Sequence, residues 1–91
     1  MPRAAPKTKA RWRSEARESP EALRIFVKVG KAIRAARKAK ALTLEALAER
    51  AHLSPQHLLD IEHGRTNVTL ASLAGIARGL GLRLRDLFEA V

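Results

Sequence analysis

The segment 43–64 (TLEALAERAHLSPQHLLDIEHG) constrains the fold more than any other part of the chain. It opens on a threonine and an acidic first turn, which is typical of a helix start, and apolar residues then recur at helical spacing. A second start is indicated by Ser54-Pro55, because serine caps a helix and proline is tolerated at its first position. Gly64 supplies the left-handed residue that ends a helix. The segment therefore predicts two short helices, over 44–51 and 55–63, joined by a tight turn.

The rest of the chain adds three predicted helices, over 20–40, 70–80 and 84–89. The first carries an apolar face at helical spacing, formed by Phe26, Val29, Ile33 and Ala36. The second supplies further core candidates, namely Leu70, Leu73, Ile76, Ala77 and Leu80. No segment has a strand pattern and the connections are short. These features predict an all-α fold, a compact five-helix domain over 21–91.

Composition excludes several classes of function. The chain has 91 residues, which allows one domain, and it has no cysteine, so disulfides, thiolate zinc sites and cysteine nucleophiles are excluded. Its three histidines lack the spacing of a helical zinc site, and no phosphate loop or nucleophile motif occurs. We therefore predict no enzyme, no cofactor and no metal. No apolar run reaches the roughly 18–20 residues of a membrane helix, so a cytoplasmic, nucleoid-associated protein without a membrane partner is expected.

The charge of the chain is strongly positive and unevenly placed. The formal net charge is +9, and segment 22–40 holds seven basic residues and no acidic one. Residues 1–20 carry three of the four prolines, many charges and Trp12 as their only aromatic residue. Such a segment buries too little surface to offset ordering, so it is predicted to be a disordered, flexible basic tail. The basic excess favours a partner rich in phosphate.

The predicted helix 55–63 has the features of a helix that reads the major groove of DNA. Its apolar residues would anchor it to a core, and its first turn would present side chains to base edges. The candidates for base contact are Gln56, His57, Leu59 and Asp60. Gln56 can pair with adenine through two hydrogen bonds, although it can equally be a solvated surface amide. Asp60 can accept from cytosine, or pair with a basic residue within the fold.

Contacts with DNA phosphates would position such a helix. Helix starts are suitable because their backbone N–H groups and dipole favour anions. The candidates for phosphate contact are Thr43, Ser54, Pro55, Arg65, Thr66 and Asn67.

Four pieces of the sequence together resemble the Xre, or lambda-repressor-like, helix-turn-helix family over about residues 26–89. They are Ile33-Arg34 with Arg37, then TLEALAERAHLS, DIEHG and TLASLAGIARGLGL. The resemblance implies a compact five-helix lambda-repressor-like DNA-binding domain, usually dimeric on a pseudo-palindromic site. It also implies an ion pair between Arg37 and Glu62. The short C-terminus is similar to that of small single-domain regulators of the controller-protein or antitoxin type.

Some residues depart from the usual family pattern. Leu44 stands where glutamine is common, Val68 stands where proline is frequent, and Leu59 and Asp60 replace small, polar or basic residues. The departures at Leu44, Leu59 and Asp60 argue against the family's standard DNA contacts at these positions. Leu44 and Leu59 would instead suit thymine methyl groups or another protein.

The leading hypothesis is a sequence-specific double-stranded DNA-binding transcriptional regulator that acts as a homodimer. Its candidate dimer contacts are Leu84, Leu87, Phe88 and Val91, which can equally close the small core. The alternative is a protein-interaction module of the same fold, an antitoxin or a bridging coactivator, that binds a protein partner through residues 1–20. RNA binding through the basic segments is a third possibility.

Overall fold

The computed structural model describes residues 19–89 and 91, and the regular secondary structure of this part of the chain consists of helices, with no strand. Its elements are α1 (Pro20–Ala39), α2 (Leu44–Arg50), α3 (Pro55–Glu62), α4 (Leu70–Leu80) and a C-terminal 3-10 helix (Leu84–Phe88). The all-α prediction is confirmed, and each predicted α-helix boundary lies within one residue of the observed one. The tail predicted over residues 1–20 lies, apart from its last two residues, outside the described part of the chain.

The four α-helices begin in the same way. A serine or threonine side chain accepts a hydrogen bond from the backbone N–H three residues later at each start. Each bond satisfies one of the N–H groups that a helix start leaves unpaired. The four capping residues were all predicted from the sequence, and they are Ser19, Thr43, Ser54 and Thr69.

The four α-helices also end in the same way. One residue at the end of each helix has a positive φ, and the next N–H donates to the carbonyl five residues back, at distances between 2.8 and 3.1 Å. This is the Schellman arrangement, which reverses the chain within a few residues. Glycine supplies the positive φ at Gly64 and Gly81, but Ala41 and His52 supply it after α1 and α2.

The prediction of a fifth α-helix is wrong, because the final element is a 3-10 helix over Leu84–Phe88. Its start is held by the Asp86 carboxylate, which accepts from the Arg83 backbone N–H at 2.9 Å. Residues three apart share a face in a 3-10 helix, so Leu84 and Leu87 both turn towards the core. The short 3-10 helix therefore covers one side of the core with these two leucines.

The core is aliphatic and lies between the helices. Residues from every α-helix and from the 3-10 helix meet there; the largest fully buried ones are Val29, Ile33, Leu47, Leu58, Ile76, Leu80 and Leu87. Leu70 was predicted as a core residue, and this is wrong: at the first position of α4 it is 69% exposed. Among the described residues, no helix is both long enough and apolar enough to cross a membrane.

Candidate nucleic-acid interface

Helix α3 is anchored at its inner face and open at its start. Leu58 and Ile61 are fully buried, whereas Pro55 and Gln56 are exposed. The Ser54 hydroxyl oxygen accepts from the His57 backbone N–H at 3.1 Å, which fixes the first turn. The first turn of α3 therefore projects from a rigid support.

The far end of α3 is tied to α1 by Arg37 and Glu62. Arg37 Nε lies 2.7 Å from Glu62 Oε2, and a second guanidinium nitrogen donates to Oε1 at 3.1 Å. The remaining guanidinium nitrogen donates to the Leu42 carbonyl oxygen at 3.0 Å. One side chain thus connects α1, the turn after it and α3, and these are the two residues whose pairing the resemblance implied.

Glu62 is the buried acid of this pair, and its charge is compensated by the two-pronged contact with Arg37. Hydrogen bonding to Glu62 raises the pKa of Arg37 above its ordinary value, burial opposes this rise, and the charges of Glu62 and Glu45 add to it. The guanidinium therefore stays charged throughout the physiological pH range. Two parallel N–H···O bonds also fix the relative orientation of the two helices.

Three of the predicted DNA-contacting residues meet on the outer side of α3. Gln56 Nε2 donates to Asp60 Oδ1 at 3.1 Å, and Arg65 donates to the same oxygen at 3.1 Å. Asp60 therefore has a basic partner within the fold, one of the alternatives that the sequence left open. All three side chains are at least partly exposed, so this small network lies at the surface.

The predicted phosphate-contacting residues lie at helix starts and in the loop after α3. Thr43 and Ser54 are exposed, and each hydroxyl oxygen accepts a capping bond. A capping oxygen keeps its O–H hydrogen available for donation. Thr66 is half-buried and Asn67 is exposed in the loop that leads to α4.

The apolar candidates separate into different environments. Leu44 packs against the core, while Leu59 is half-buried on α3. The most exposed leucine, Leu70, was not predicted as a surface residue. Its position directly after the Thr69 cap gives no signal of exposure, because Leu44 occupies the same position after Thr43 and packs against the core.

The four candidate dimer contacts are not equivalent. Leu87 is fully buried inside the domain, so its assignment to a dimer surface is corrected: it closes the core. Leu84 and Phe88 are half-buried and pack against that core. Val91 is 49% exposed, and it is the candidate most available to a second molecule.

Comparisons with known proteins agree with this architecture. A helix-turn-helix family model matches residues 33–87. The immunity repressor protein of Bacillus phage phi105 is 45% identical over 56 residues, covering 62% of this chain and 39% of the repressor. Multiprotein-bridging factor 1 of Candida albicans is 40% identical over 62 residues, covering 68% of this chain and 41% of that protein.

A solved structure resembles the domain as well. The restriction-modification controller protein C.AhdI from Aeromonas hydrophila superposes with a TM-score of 0.68 at 35% sequence identity. The match covers 69% of this chain and 96% of the controller protein. The chain thus spans nearly the whole of this small protein, but less than half the length of the two longer relatives.

Proposed function

The chain belongs to the helix-turn-helix family, and on this premise we propose that it is a sequence-specific double-stranded DNA-binding transcriptional regulator. Helix α3 reads the major groove with its first turn, where Gln56 is the main base-contacting residue. The observation that carries the proposal is an exposed first turn on a helix whose inner face is fully buried. A rigid support matters because base-edge hydrogen bonds discriminate only when their geometry is fixed.

The Asp60 network bears on how α3 engages DNA. In the free protein, Gln56 and Arg65 both donate to one Asp60 oxygen. On DNA, Gln56 turns to a base edge and Arg65 to a phosphate, so both leave Asp60. The carboxylate then accepts a hydrogen bond from cytosine where the duplex offers one. Where it offers none, the carboxylate faces the phosphates unpaired, and this repulsion disfavours such a duplex. Asp60 thereby contributes to specificity by opposing indiscriminate binding.

The residues that we assign to phosphate binding precede and follow the first turn of α3 along the sequence. The exposed hydroxyls of Thr43 and Ser54 mark the starts of α2 and α3, where backbone N–H groups favour phosphate. Arg65, Thr66 and Asn67 follow the end of α3, and Pro55 occupies its first position. We assign these residues to phosphate contacts that set the register of α3 in the groove.

A homodimer is the form that fits a pseudo-palindromic site. Two copies would place their α3 helices about 34 Å apart, one turn of duplex. The exposed Val91 and the half-buried Leu84 and Phe88 are the residues we assign to the contact. Sedimentation velocity tests this: a species of twice the monomer mass is expected without DNA, and a complex of two protomers per duplex is expected with DNA. A monomer without DNA together with one protomer per duplex contradicts it.

A second candidate function is a protein-interaction module of the same fold. The observation that favours it is the 40% identity with a protein named as a multiprotein-bridging factor. In that case residues 1–20 would bind a protein partner, as an antitoxin or coactivator segment does, and no duplex would be preferred.

The deciding experiment begins with selection of a preferred duplex from a random pool at physiological salt. Gln56→Ala is expected to lose about 1–3 kcal/mol of preference for the selected duplex over a scrambled one. Arg65→Ala is expected to weaken both duplexes alike and to lower the salt dependence. Arg85→Ala, an exposed arginine on the 3-10 helix, is the control. A pool from which no duplex emerges would contradict sequence-specific binding and favour the interaction module.

A further inference from the structure

The outer face of α1 carries an apolar groove that the core does not use. Leu23 is 45% exposed and Val27 is 39% exposed, and they lie one turn apart on the same side of the helix. They form a shallow groove of about 330 Å³ with three basic residues, Arg24, Lys28 and Lys31. An apolar row with a charged border is thus presented to solvent.

The border of the groove has one sign of charge. Helix α1 contains six basic residues and a single acid, Glu21 in its first turn. Within the described part of the chain, the ion pairs join Arg37 to Glu62 and Arg65 to Asp60, so the three cations of the groove have no acidic partner there. Their attraction for an anionic group is therefore not offset by the fold.

The groove lies away from the start of the reading helix. Gly30 of α1 touches the backbone of Glu62, and Val27 touches Gly64, so this part of α1 packs on the end of α3. An eight-residue helix is about 12 Å long, which separates the groove from the first turn of α3. The family match begins at residue 33, after the groove.

We propose that this groove binds an acidic amphipathic helix of a partner protein. Leucine-like side chains of the partner would cover Leu23 and Val27, and its glutamates or aspartates would pair with Arg24, Lys28 and Lys31. Laying an apolar stripe into a groove with complementary charges at the rim is a common mode of helix recognition. The groove extends from Leu23 to Lys31, about 12 Å along α1, which matches about two turns of a partner helix.

The basic border and the exposed apolar side chains of the groove favour an acidic amphipathic helix over a second copy of the chain or a nucleic acid. A second copy of the same face would bring like charges together, which opposes self-association here. A nucleic acid would use the cations but would leave Leu23 and Val27 in water. This inference stands independently of DNA reading by α3, because it uses a different surface.

The test uses the full chain and a designed probe. The probe is a fluorescent helical peptide of leucine, alanine and glutamate with one leucine stripe bordered by glutamates. A control peptide has the same composition with the leucines spread around the helix. Fluorescence anisotropy should show the striped peptide binding at least about tenfold more tightly than the control peptide.

Variants of the protein locate the site. Leu23→Gln and Lys28→Glu are each expected to weaken binding of the striped peptide about tenfold, whereas Leu23→Met keeps it. Two matched controls elsewhere, Leu70→Gln and Arg85→Glu, should leave it unchanged, because both residues are exposed outside α1. Circular dichroism verifies that each variant is folded.

Three results would overturn the proposal. Equal affinity for both peptides would mean that only charge is recognised, and unchanged binding by Leu23→Gln would mean that the groove is not the site. The third result is that random-sequence duplex or anionic phosphatidylserine vesicles bind the protein, that this binding depends on Lys28 but not on Leu23, and that the striped peptide does not compete with it. That result would assign the face to nucleic acid or to a membrane surface.

Discussion

Gly30 of α1 and Glu62 of α3 are in backbone contact: a methyl group placed on Gly30 would lie 2.6 Å from the carbonyl oxygen of Glu62 and 2.9 Å from its carbonyl carbon. These atoms belong to the main chain, so they cannot move aside as a flexible side chain can. The contact lets α1 cross the end of α3 closely enough for Arg37, two turns further along α1, to reach the Glu62 carboxylate.

Gly30→Ala is expected to destabilise the protein despite the better helix propensity of alanine. The propensity gain is about 1 kcal/mol, but forcing an extra methyl into a packed site costs up to about 3 kcal/mol, so a net loss of up to about 2 kcal/mol follows. Urea denaturation measures it. The control is Gly75→Ala, where the nearest atom, the Ala51 carbonyl oxygen, lies 3.2 Å from the new methyl, so the contact is looser and a smaller loss is expected. Equal effects at the two glycines would refute the close crossing.

Removal of both members of the Arg37–Glu62 pair should cost less than the two single removals added together. Arg37→Met leaves a buried carboxylate without its donors, which is expected to lower the free energy of unfolding by about 3 kcal/mol. Glu62→Met leaves the arginine with one bond, to the Leu42 carbonyl oxygen. The double variant should lose less than the sum of the two single losses, and simple additivity in chemical denaturation would argue that the residues act independently.

Ala41→Gly should stabilise the domain. Ala41 follows α1 with a φ of 56°, a left-handed conformation that costs a residue with a Cβ about 1–2 kcal/mol and glycine nothing. The greater entropy of glycine in the unfolded chain takes back about 0.5–1 kcal/mol, so a net gain of up to about 1 kcal/mol is expected in thermal or urea unfolding. Ala39→Gly, two residues earlier and still helical, should instead be destabilising. A loss of stability from both substitutions would contradict the left-handed turn.

The turn after α1 shows which features of the fold could be predicted from the sequence and which could not. Helix starts were predictable because serine and threonine at four positions each bond locally to the backbone. Glycine indicated the left-handed residue at Gly64 and Gly81, but nothing in the sequence indicates a positive φ at Ala41 and His52. At those two ends the turn is closed by backbone hydrogen bonds from the N–H groups of the next residues, Leu42 and Leu53. Local pattern also failed to separate a short α-helix from the 3-10 helix at Leu84–Phe88, because both place leucines three residues apart on one face.

For the candidate site, the sequence indicated the residues but not their mutual contacts. Gln56, Asp60 and Arg65 were each selected as DNA-contacting candidates, yet their shared hydrogen bonds depend on how the chain turns after α3. Likewise, the exposure of Leu23 and Val27 could not be read from an apolar pattern, because it depends on which face of α1 the other helices cover.

Asp60→Asn tests whether the carboxylate restrains DNA binding. The asparagine can still accept from Gln56 or Arg65, so the change removes charge with little change in shape. Loss of one negative charge beside phosphates is expected to tighten binding to random-sequence duplex by roughly 1 kcal/mol at low salt, and by less as salt rises. Glu89→Gln, an exposed acid after the 3-10 helix, is the charge-matched control and should have no such effect. Because the Asp60 carboxylate is proposed to disfavour duplexes that offer it no hydrogen-bond donor, the ratio of selected to random affinity should fall in Asp60→Asn. An unchanged ratio, with both affinities raised alike, would limit Asp60 to a general electrostatic effect and remove it from sequence discrimination.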